Sequence, residues 1–165
     1  MTNYTCAVHD SETINSKPDE RPGRILALDV GSRTIGLAVT DPLGYTAQGL
    51  FTIRRTNKRT DFWELRKVIQ KFEVKEIVVG LPLRMSGAEG IQSEKMHLFA
   101  EELRAKFGLP VHLWDERLTS VEANRLLRET DMSIKERAGV VDQIAAVLIL
   151  QNFMEARNSR REQEG

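Results

Sequence analysis

Short apolar runs of strand length open the ordered part of this chain. Ile25–Leu28 and Ile35–Thr40 are separated by a short polar connection, which predicts an antiparallel hairpin. Gly44–Ile53 continues the same pattern. The first predicted unit is therefore a three-stranded meander.

Helices and strands alternate after the meander. A stripe of apolar residues at helical spacing follows Thr60 and Asp61, either of which is suited to be the N-cap. The stripe consists of Phe62, Leu65, Val68, Ile69 and Phe72. We expect Trp63, within the same helix, to contribute to packing. The later pattern predicts strands at Glu76–Val79 and Val111–Trp114, and helices at Ile91–Phe107, from Thr119 onwards, and at Ala138–Ala156.

This order of elements predicts an α/β fold. Its mixed central sheet joins the antiparallel three-stranded meander to parallel strands and is flanked by helices. The ordered domain is expected at residues 24–156. Residues 1–23 are polar and lack periodicity, so we expect a disordered N-terminal extension, and residues 157–165 are expected to form a flexible C-terminal tail.

Composition narrows the class of protein. The 165 residues contain 24 basic and 24 acidic side chains, so no global basic field indicates a nucleic-acid partner. Cys6 is the only cysteine, which excludes a disulfide framework and a thiolate zinc site. The longest apolar run, Ile144–Leu150, is far shorter than the ~20 residues of a membrane span. We therefore expect a cytoplasmic protein with no membrane partner.

One basic cluster stands out against the neutral total. It follows the third predicted strand and contains Arg54, Arg55, Lys58 and Arg59. Such a run is compatible with a solvated loop and with a set of phosphate contacts.

Acidic residues occupy three separated places that suit a shared site. Asp29 ends the first strand, Asp115 and Glu116 end a later one, and Asp142 lies in a largely apolar helix. Converging carboxylates repel one another unless a hard cation neutralises them, and oxygen ligands favour Mg²⁺ or Mn²⁺ over zinc. The alternative is that Asp142 pairs with an arginine and that Asp29 accepts hydrogen bonds from the turn.

Four sequence blocks occur in a characteristic order. They are Asp29-Val30-Gly31 followed by Gly36, Val79-Gly80-Leu81-Pro82-Leu83, Leu113-Trp114-Asp115-Glu116-Arg117-Leu118-Thr119, and Val141-Asp142-Gln143-Ile144-Ala145-Ala146. Together they resemble the YqgF family of RNase H-like proteins, also described as RuvX-type Holliday junction resolvases. The resemblance covers about residues 24–156.

The resemblance implies an RNase H-like fold and a metal-dependent endonuclease. The implied reaction is processing of the 5′ end of pre-16S ribosomal RNA, with Holliday junction resolution as the alternative. Carried over by motif, Asp29, Glu116 and Asp142 form the acidic triad. Asp115 is an additional candidate because two carboxylates are adjacent in the motif.

The same resemblance implies further contacts. Arg33 and Arg117 are expected to bind phosphates or to balance charge, with orientation of a carboxylate as the alternative role for Arg117. Arg84 departs from the family pattern, since many relatives have asparagine there, and is expected to add a phosphate contact. Residues expected to shape the loops around the site are Gly31, Gly36, Gly80 and Pro82.

The expected partner is structured nucleic acid, either precursor rRNA or a DNA junction, bound by a monomer or a homodimer. Two other classes stay open at this point. Asp-x-Gly before a hairpin also cradles phosphates in sugar-kinase or actin-like nucleotide binders, although these need two such domains. A non-enzymatic RNA-binding or transcription-associated factor could keep the same scaffold.

Overall fold

The computed structural model describes residues 23–81, 89–115 and 134–165, and for 89–92 and 134–139 it describes the helical backbone only. The strands are β1 (Arg24–Val30), β2 (Thr34–Thr40), β3 (Ala47–Arg54), β4 (Val74–Leu81) and β5 (Val111–Asp115). The helices are α1 (Lys58–Lys71), α2 (Glu89–Phe107) and α3 (Ile134–Glu164). The helix predicted from Thr119 lies outside the described residues.

These strands form one five-stranded sheet in the order β3-β2-β1-β4-β5. β1 pairs antiparallel with β2, and β2 with β3, whereas β1 with β4 and β4 with β5 are parallel. The predicted mixed sheet, with its meander and parallel strands flanked by helices, is confirmed. Because β1, β4 and β5 run in the same direction, their carboxyl ends meet at one edge, where Asp29 and Asp115 lie.

Each face of the sheet has its own hydrophobic core. Leu26 and Leu28 of β1 pack in the core that includes α1 and α2, while Ile25 and Ala27 pack in the core that includes α3. Successive side chains of a strand point to opposite faces. Asp29 therefore continues the row on the α3 face.

Helix α1 begins earlier than predicted. Its N-cap is Asn57, whose side chain accepts a hydrogen bond from the Thr60 backbone N–H at 3.0 Å. The prediction of Thr60 or Asp61 as cap is wrong because Asn57 satisfies the helix N-terminus one turn before them. Asp61 is instead buried, with 3% of its surface exposed.

Helix α3 continues to Glu164, eight residues beyond the predicted end at Ala156. An ion pair anchors this extension. The Arg157 guanidinium donates to both carboxylate oxygens of Glu76 in β4, at 2.6 and 2.7 Å, and His112 Nε2 lies 3.0 Å from Glu76 Oε1. The polar sequence after Ala156 offers no apolar stripe, so this helical extension was not predictable from periodicity. The predicted flexibility of residues 157–165 stays a prediction.

In the part of the chain that the structure describes, no helix combines the length and apolar character needed to cross a membrane.

The Glu76–Arg157 pair makes stability depend on pH. The hydrogen bonds that Arg157 donates hold the pKa of the Glu76 carboxyl below its usual value of 4.5. A depressed pKa in the folded state stabilises the fold above the unfolded-state pKa, and this contribution disappears as the pH falls through the folded-state pKa. We expect Glu76→Gln to lower the free energy of unfolding by about 1–2 kcal/mol at neutral pH. Denaturant unfolding should show the difference from wild type shrinking below the usual glutamate pKa.

Glu94→Gln, at an exposed position of α2, is the matched control. It should leave stability nearly unchanged. A deficit of Glu76→Gln that stays constant across the acidic range would contradict the role assigned to the ion pair.

Candidate active site

The turn between β1 and β2 carries the first acid of the site. Asp29 lies near the end of β1, and the following turn is closed by a hydrogen bond from the Gly31 N–H to the Thr34 carbonyl at 2.8 Å. Arg55, just after β3, donates from Nη1 to the Gly31 carbonyl at 2.7 Å and from its backbone N–H to the Arg33 carbonyl at 2.8 Å. The position of the turn is thus fixed from the neighbouring strand.

Buried Asp61 holds Arg55 in place. Asp61 Oδ2 lies 3.4 Å from Arg55 Nε, and Asp61 Oδ1 accepts from the Thr56 N–H at 3.2 Å. A buried carboxylate requires such partners. Arg55, one of the predicted nucleic-acid contacts, therefore has a contact within the fold beside the first acid.

Helix α3 brings the second acid to the same place. Gly36 of β2 is the register partner of Asp29. A Cβ added to Gly36 would lie 2.1 Å from the Asp142 carbonyl oxygen, so the backbone of α3 rests directly on β2 at this glycine. Asp29 and Asp142 therefore lie on the same face of the sheet, each beside Gly36.

The Asp142 carboxylate has a polar partner on the hairpin. Its Oδ2 accepts a hydrogen bond from the Thr34 hydroxyl at the start of β2. The alternative interpretation expected Asp142 to pair with an arginine, but among the described residues Asp142 forms no such ion pair. Thr34 was not a predicted site residue, and no pattern in the sequence singles it out.

Asp115, one candidate for the third acid, is the last residue of β5. Val111 and Leu113 pack in the core that includes α1 and α2, whereas Trp114 packs against the core on the α3 side. By alternation, exposed Asp115 points away from the face that carries Asp29. Glu116 lies outside the described residues, as do Arg117, Arg84 and Pro82.

Two of the glycines assigned to loops have other locations. Gly36 lies within β2, where it permits the close approach of α3, and Gly80 lies within β4, one residue before its end at Leu81. Gly31 does lie in the turn after β1. A glycine inside a strand is the sequence signal that could have indicated the contact at Gly36.

The predicted basic cluster is divided by the fold. Arg33, Arg54 and Arg59 are exposed. Lys58 lies in the first turn of α1 and pairs with Glu102 of α2 at 2.8 Å. Trp63, predicted to pack, is 59% exposed, because the buried stripe of α1 faces a different direction.

The donor set at the site is made of oxygen. Asp29 and Asp142 supply carboxylates, and Thr34 supplies the hydroxyl that orients one of them. Such donors fit a hard divalent cation rather than zinc. Within residues 23–81, 89–115 and 134–165 no three potential ligands cluster closely enough to hold a metal by themselves.

Sequence comparisons relate most of this chain to one protein family. The sequence model of a family described as "RuvX: Holliday junction resolvase" matches residues 23–156. A protein of Koribacter versatilis named "Putative pre-16S rRNA nuclease" is 61% identical over 147 residues, covering 89% of this chain and 96% of the relative. A protein of the same name from Moorella thermoacetica is 52% identical over 132 residues, covering 80% and 94%.

Solved structures show a more distant likeness. RuvC of T. thermophilus in complex with a Holliday junction substrate aligns with a TM-score of 0.49 and 14% identity, covering 82% of this chain and 96% of that chain.

The contact at Gly36 predicts a large effect of one methyl group. Gly36→Ala should lower the free energy of unfolding by about 1–3 kcal/mol, the usual cost of overpacking, because the added atom would meet backbone that cannot rotate away. Denaturant unfolding measures this cost.

Gly49→Ala in β3 is the matched control. There the added Cβ would meet only side-chain atoms of Gln143, Nε2 at 2.6 Å and Cγ at 3.0 Å, so the clash can be relieved at the cost of the hydrogen bond from Gln143 Nε2 to the Leu50 carbonyl. We expect a clearly smaller loss of stability, and equal losses would contradict the proposed packing of α3 on β2.

Proposed function

The chain belongs to the RuvX family of Holliday junction resolvases, and from this we propose that it is a divalent-metal-dependent endonuclease that hydrolyses phosphodiester bonds in structured nucleic acid. Its proposed substrate is precursor 16S ribosomal RNA. The observation that carries the proposal is the contact between α3 and Gly36, because it brings Asp142 to the register partner of Asp29.

The proposed catalytic acids are Asp29, Glu116 and Asp142. The structure describes two of them, Asp29 and Asp142. They come from segments over a hundred positions apart in the sequence and share one face of the sheet. Two carboxylates on the same face repel each other, and a bound cation offsets this repulsion.

Glu116 is preferred over Asp115 as the third acid. Asp115 follows Trp114 in β5, and Trp114 already packs on the α3 side of the sheet. A residue that follows Asp115 in extended conformation would again face that side, where Asp29 lies. This parity supports the assignment that the motif implies.

The proposed ion is Mg²⁺ or Mn²⁺, held by the three carboxylates. When bound, such ions lower the pKa of water and stabilise the leaving oxygen of a phosphodiester. The protein's own contribution is orientation: the Thr34 hydroxyl holds the Asp142 carboxylate, and Arg55 holds the turn after Asp29.

Exposed cations near this edge are proposed to bind substrate phosphates. In the described residues these are Arg33, Arg54 and Arg59. Arg84 and Arg117 are proposed for the same role from their motif positions. Lys58, which pairs with Glu102, and Arg55, which pairs with Asp61, are proposed to act mainly by positioning their neighbours.

Precursor rRNA is preferred as substrate because the relatives with 61% and 52% identity are named as pre-16S rRNA nucleases. A four-way DNA junction is the second candidate, since the family description specifies a Holliday junction resolvase. Both reactions hydrolyse a phosphodiester, so they differ in substrate recognition and in the number of subunits that act together.

Replacing the central acids tests the proposal. We expect Asp29→Asn and Asp142→Asn each to reduce cleavage of a pre-16S RNA fragment at least about 100-fold, since a catalytic metal contributes several kcal/mol to transition-state stabilisation. Substrate binding and thermal stability should persist. Gel-based cleavage assays with added Mg²⁺ or Mn²⁺, with a four-way DNA junction run in parallel, measure the effect.

Glu101→Gln, an exposed acid of α2, is the matched control and should cleave like wild type. Cleavage of the junction alone would favour the resolvase. Unchanged cleavage by Asp29→Asn would overturn the assigned site, and RNA binding without metal-dependent cleavage would favour a non-enzymatic RNA-binding factor.

A further inference from the structure

A groove lies between α1 and α2, on the face of the sheet opposite α3. Its volume is about 500 Å³, and it is lined by Arg59, Thr60, Phe62, Trp63, Arg66 and Lys106. We call it the α1–α2 groove. None of the described residues that line it is a carboxylate, whereas another groove, beside the end of α3, includes Glu164.

Three cations give the α1–α2 groove its charge. In the part of the chain that the structure describes, Arg59, Arg66 and Lys106 form no ion pair. The carboxylates nearest to them along the two helices are engaged elsewhere: Glu102 pairs with Lys58, and Glu64 pairs with Lys67. Among the described residues, the three cations of the groove are therefore not neutralised by an ion pair.

Aromatic rings hold two of these cations in position. Lys106 Nζ lies 4.7 Å from the centre of the Phe62 ring, and Arg66 lies 5.5 Å from the centre of the Phe107 ring. Phe62 is itself buried. Cation–π contacts of this kind restrict the side chains without neutralising them, so their charge remains available to an anionic ligand.

Trp63 provides a flat apolar surface at the same place. With 59% of its surface exposed, it is one of the most exposed large apolar side chains in the described residues. Its neighbours in the buried stripe of α1, Phe62 and Leu65, face the core. An exposed aromatic ring beside cations is the combination with which proteins bind single-stranded nucleic acids, because bases stack on the ring and the cations bind the backbone.

The groove begins near the candidate active site. Helix α1 starts at Lys58, three residues after Arg55, whose guanidinium binds the Gly31 carbonyl beside Asp29. Arg59 lies in the first turn of α1, at the same edge of the sheet. A strand that leaves the active site along α1 would therefore meet Arg59 first and Trp63 one turn later.

We propose that the α1–α2 groove binds a single-stranded segment of the nucleic-acid substrate. Trp63 stacks on an unpaired base, and Arg59, Arg66 and Lys106 bind the phosphates that flank it. The proposal rests on the proposed nuclease function and adds to it a second contact outside the acidic site. Ribose and deoxyribose strands share the chemistry that the groove recognises.

Binding measurements separate the two kinds of contact. Fluorescence anisotropy with labelled single-stranded RNA, the same sequence as DNA, and an RNA duplex, all without divalent metal, gives affinity without turnover. We expect Trp63→Ala to weaken single-strand binding about 10-fold, which corresponds to the loss of one stacked base, and to leave its salt dependence unchanged. Duplex binding should change little.

Charge removal should have the opposite signature. In Arg59→Gln/Arg66→Gln two phosphate contacts are lost, so the slope of log K against log salt should become shallower by about 1.4 for a single strand. Glutamine keeps an apolar stem over the Phe107 ring, and thermal melting verifies that the variant folds.

Matched controls lie elsewhere on the surface. Tyr45→Ala removes an aromatic ring that is 79% exposed in the β2–β3 connection, and Lys95→Gln removes an exposed cation of α2 outside the groove. Both should bind like wild type.

The outcomes distinguish this proposal from the function on which it rests. Loss of affinity in Trp63→Ala with either RNA or DNA supports the groove, and the ratio of the two affinities identifies the sugar that it prefers. Wild-type affinity and slope in both groove variants, with cleavage intact, would overturn the groove alone. Groove-dependent binding by a protein that cleaves neither substrate would overturn the nuclease function alone.

Discussion

The geometry of the candidate site depends on the direct contact between the backbone of α3 and Gly36 in β2. Only a residue without Cβ permits this approach, since the missing atom would lie 2.1 Å from the Asp142 carbonyl. A glycine inside a strand weakens that strand, because it adds conformational entropy to the unfolded chain and offers no side chain to pack. The strand accepts this cost where its neighbour across the ladder is Asp29, and the result is a helix close enough to set a second carboxylate beside the first.

Helix α3 is held at a second point that reinforces the first. Arg157 follows Asp142 by fifteen residues, or about 22 Å along the helix axis, and binds Glu76 of β4 through two hydrogen bonds. The buried residues of α3 that pack on the sheet already limit its tilt and rotation. Two contacts on different strands fix both its direction and the face that it turns to the sheet. On the other side of the site, Arg55 and buried Asp61 fix the turn after Asp29 in the same manner.

Local sequence patterns were sufficient to predict most helices and strands of the fold. They did not predict the contacts between distant segments. Short apolar runs and the alternation with helices predicted the antiparallel meander and the parallel strands, and the acidic positions were inferred from electrostatics and from ordered motifs. The cap at Asn57 was missed because several residues near it are equally good caps. Exposure of Trp63 depends on the rotational phase of α1, which Phe62, Leu65 and Val68 set together. The Gly36 contact and the hydrogen bond between Thr34 and Asp142 depend on how closely a helix approaches a strand, which no periodicity encodes.

A net charge of zero conceals how unevenly this protein distributes its charges. Four cations each form an ion pair with one carboxylate of the fold: Arg55, Lys58, Lys67 and Arg157. The cations left over include Arg33, Arg54 and Arg59 near the hairpin and Arg66 and Lys106 in the α1–α2 groove. A polyanion responds to the local potential within about a Debye length, not to the total charge. Each ion pair removes one cation and one carboxylate, so what matters to a polyanion is where the unpaired cations lie, near the hairpin and in the α1–α2 groove. A neutral composition is therefore no argument against a nucleic-acid substrate.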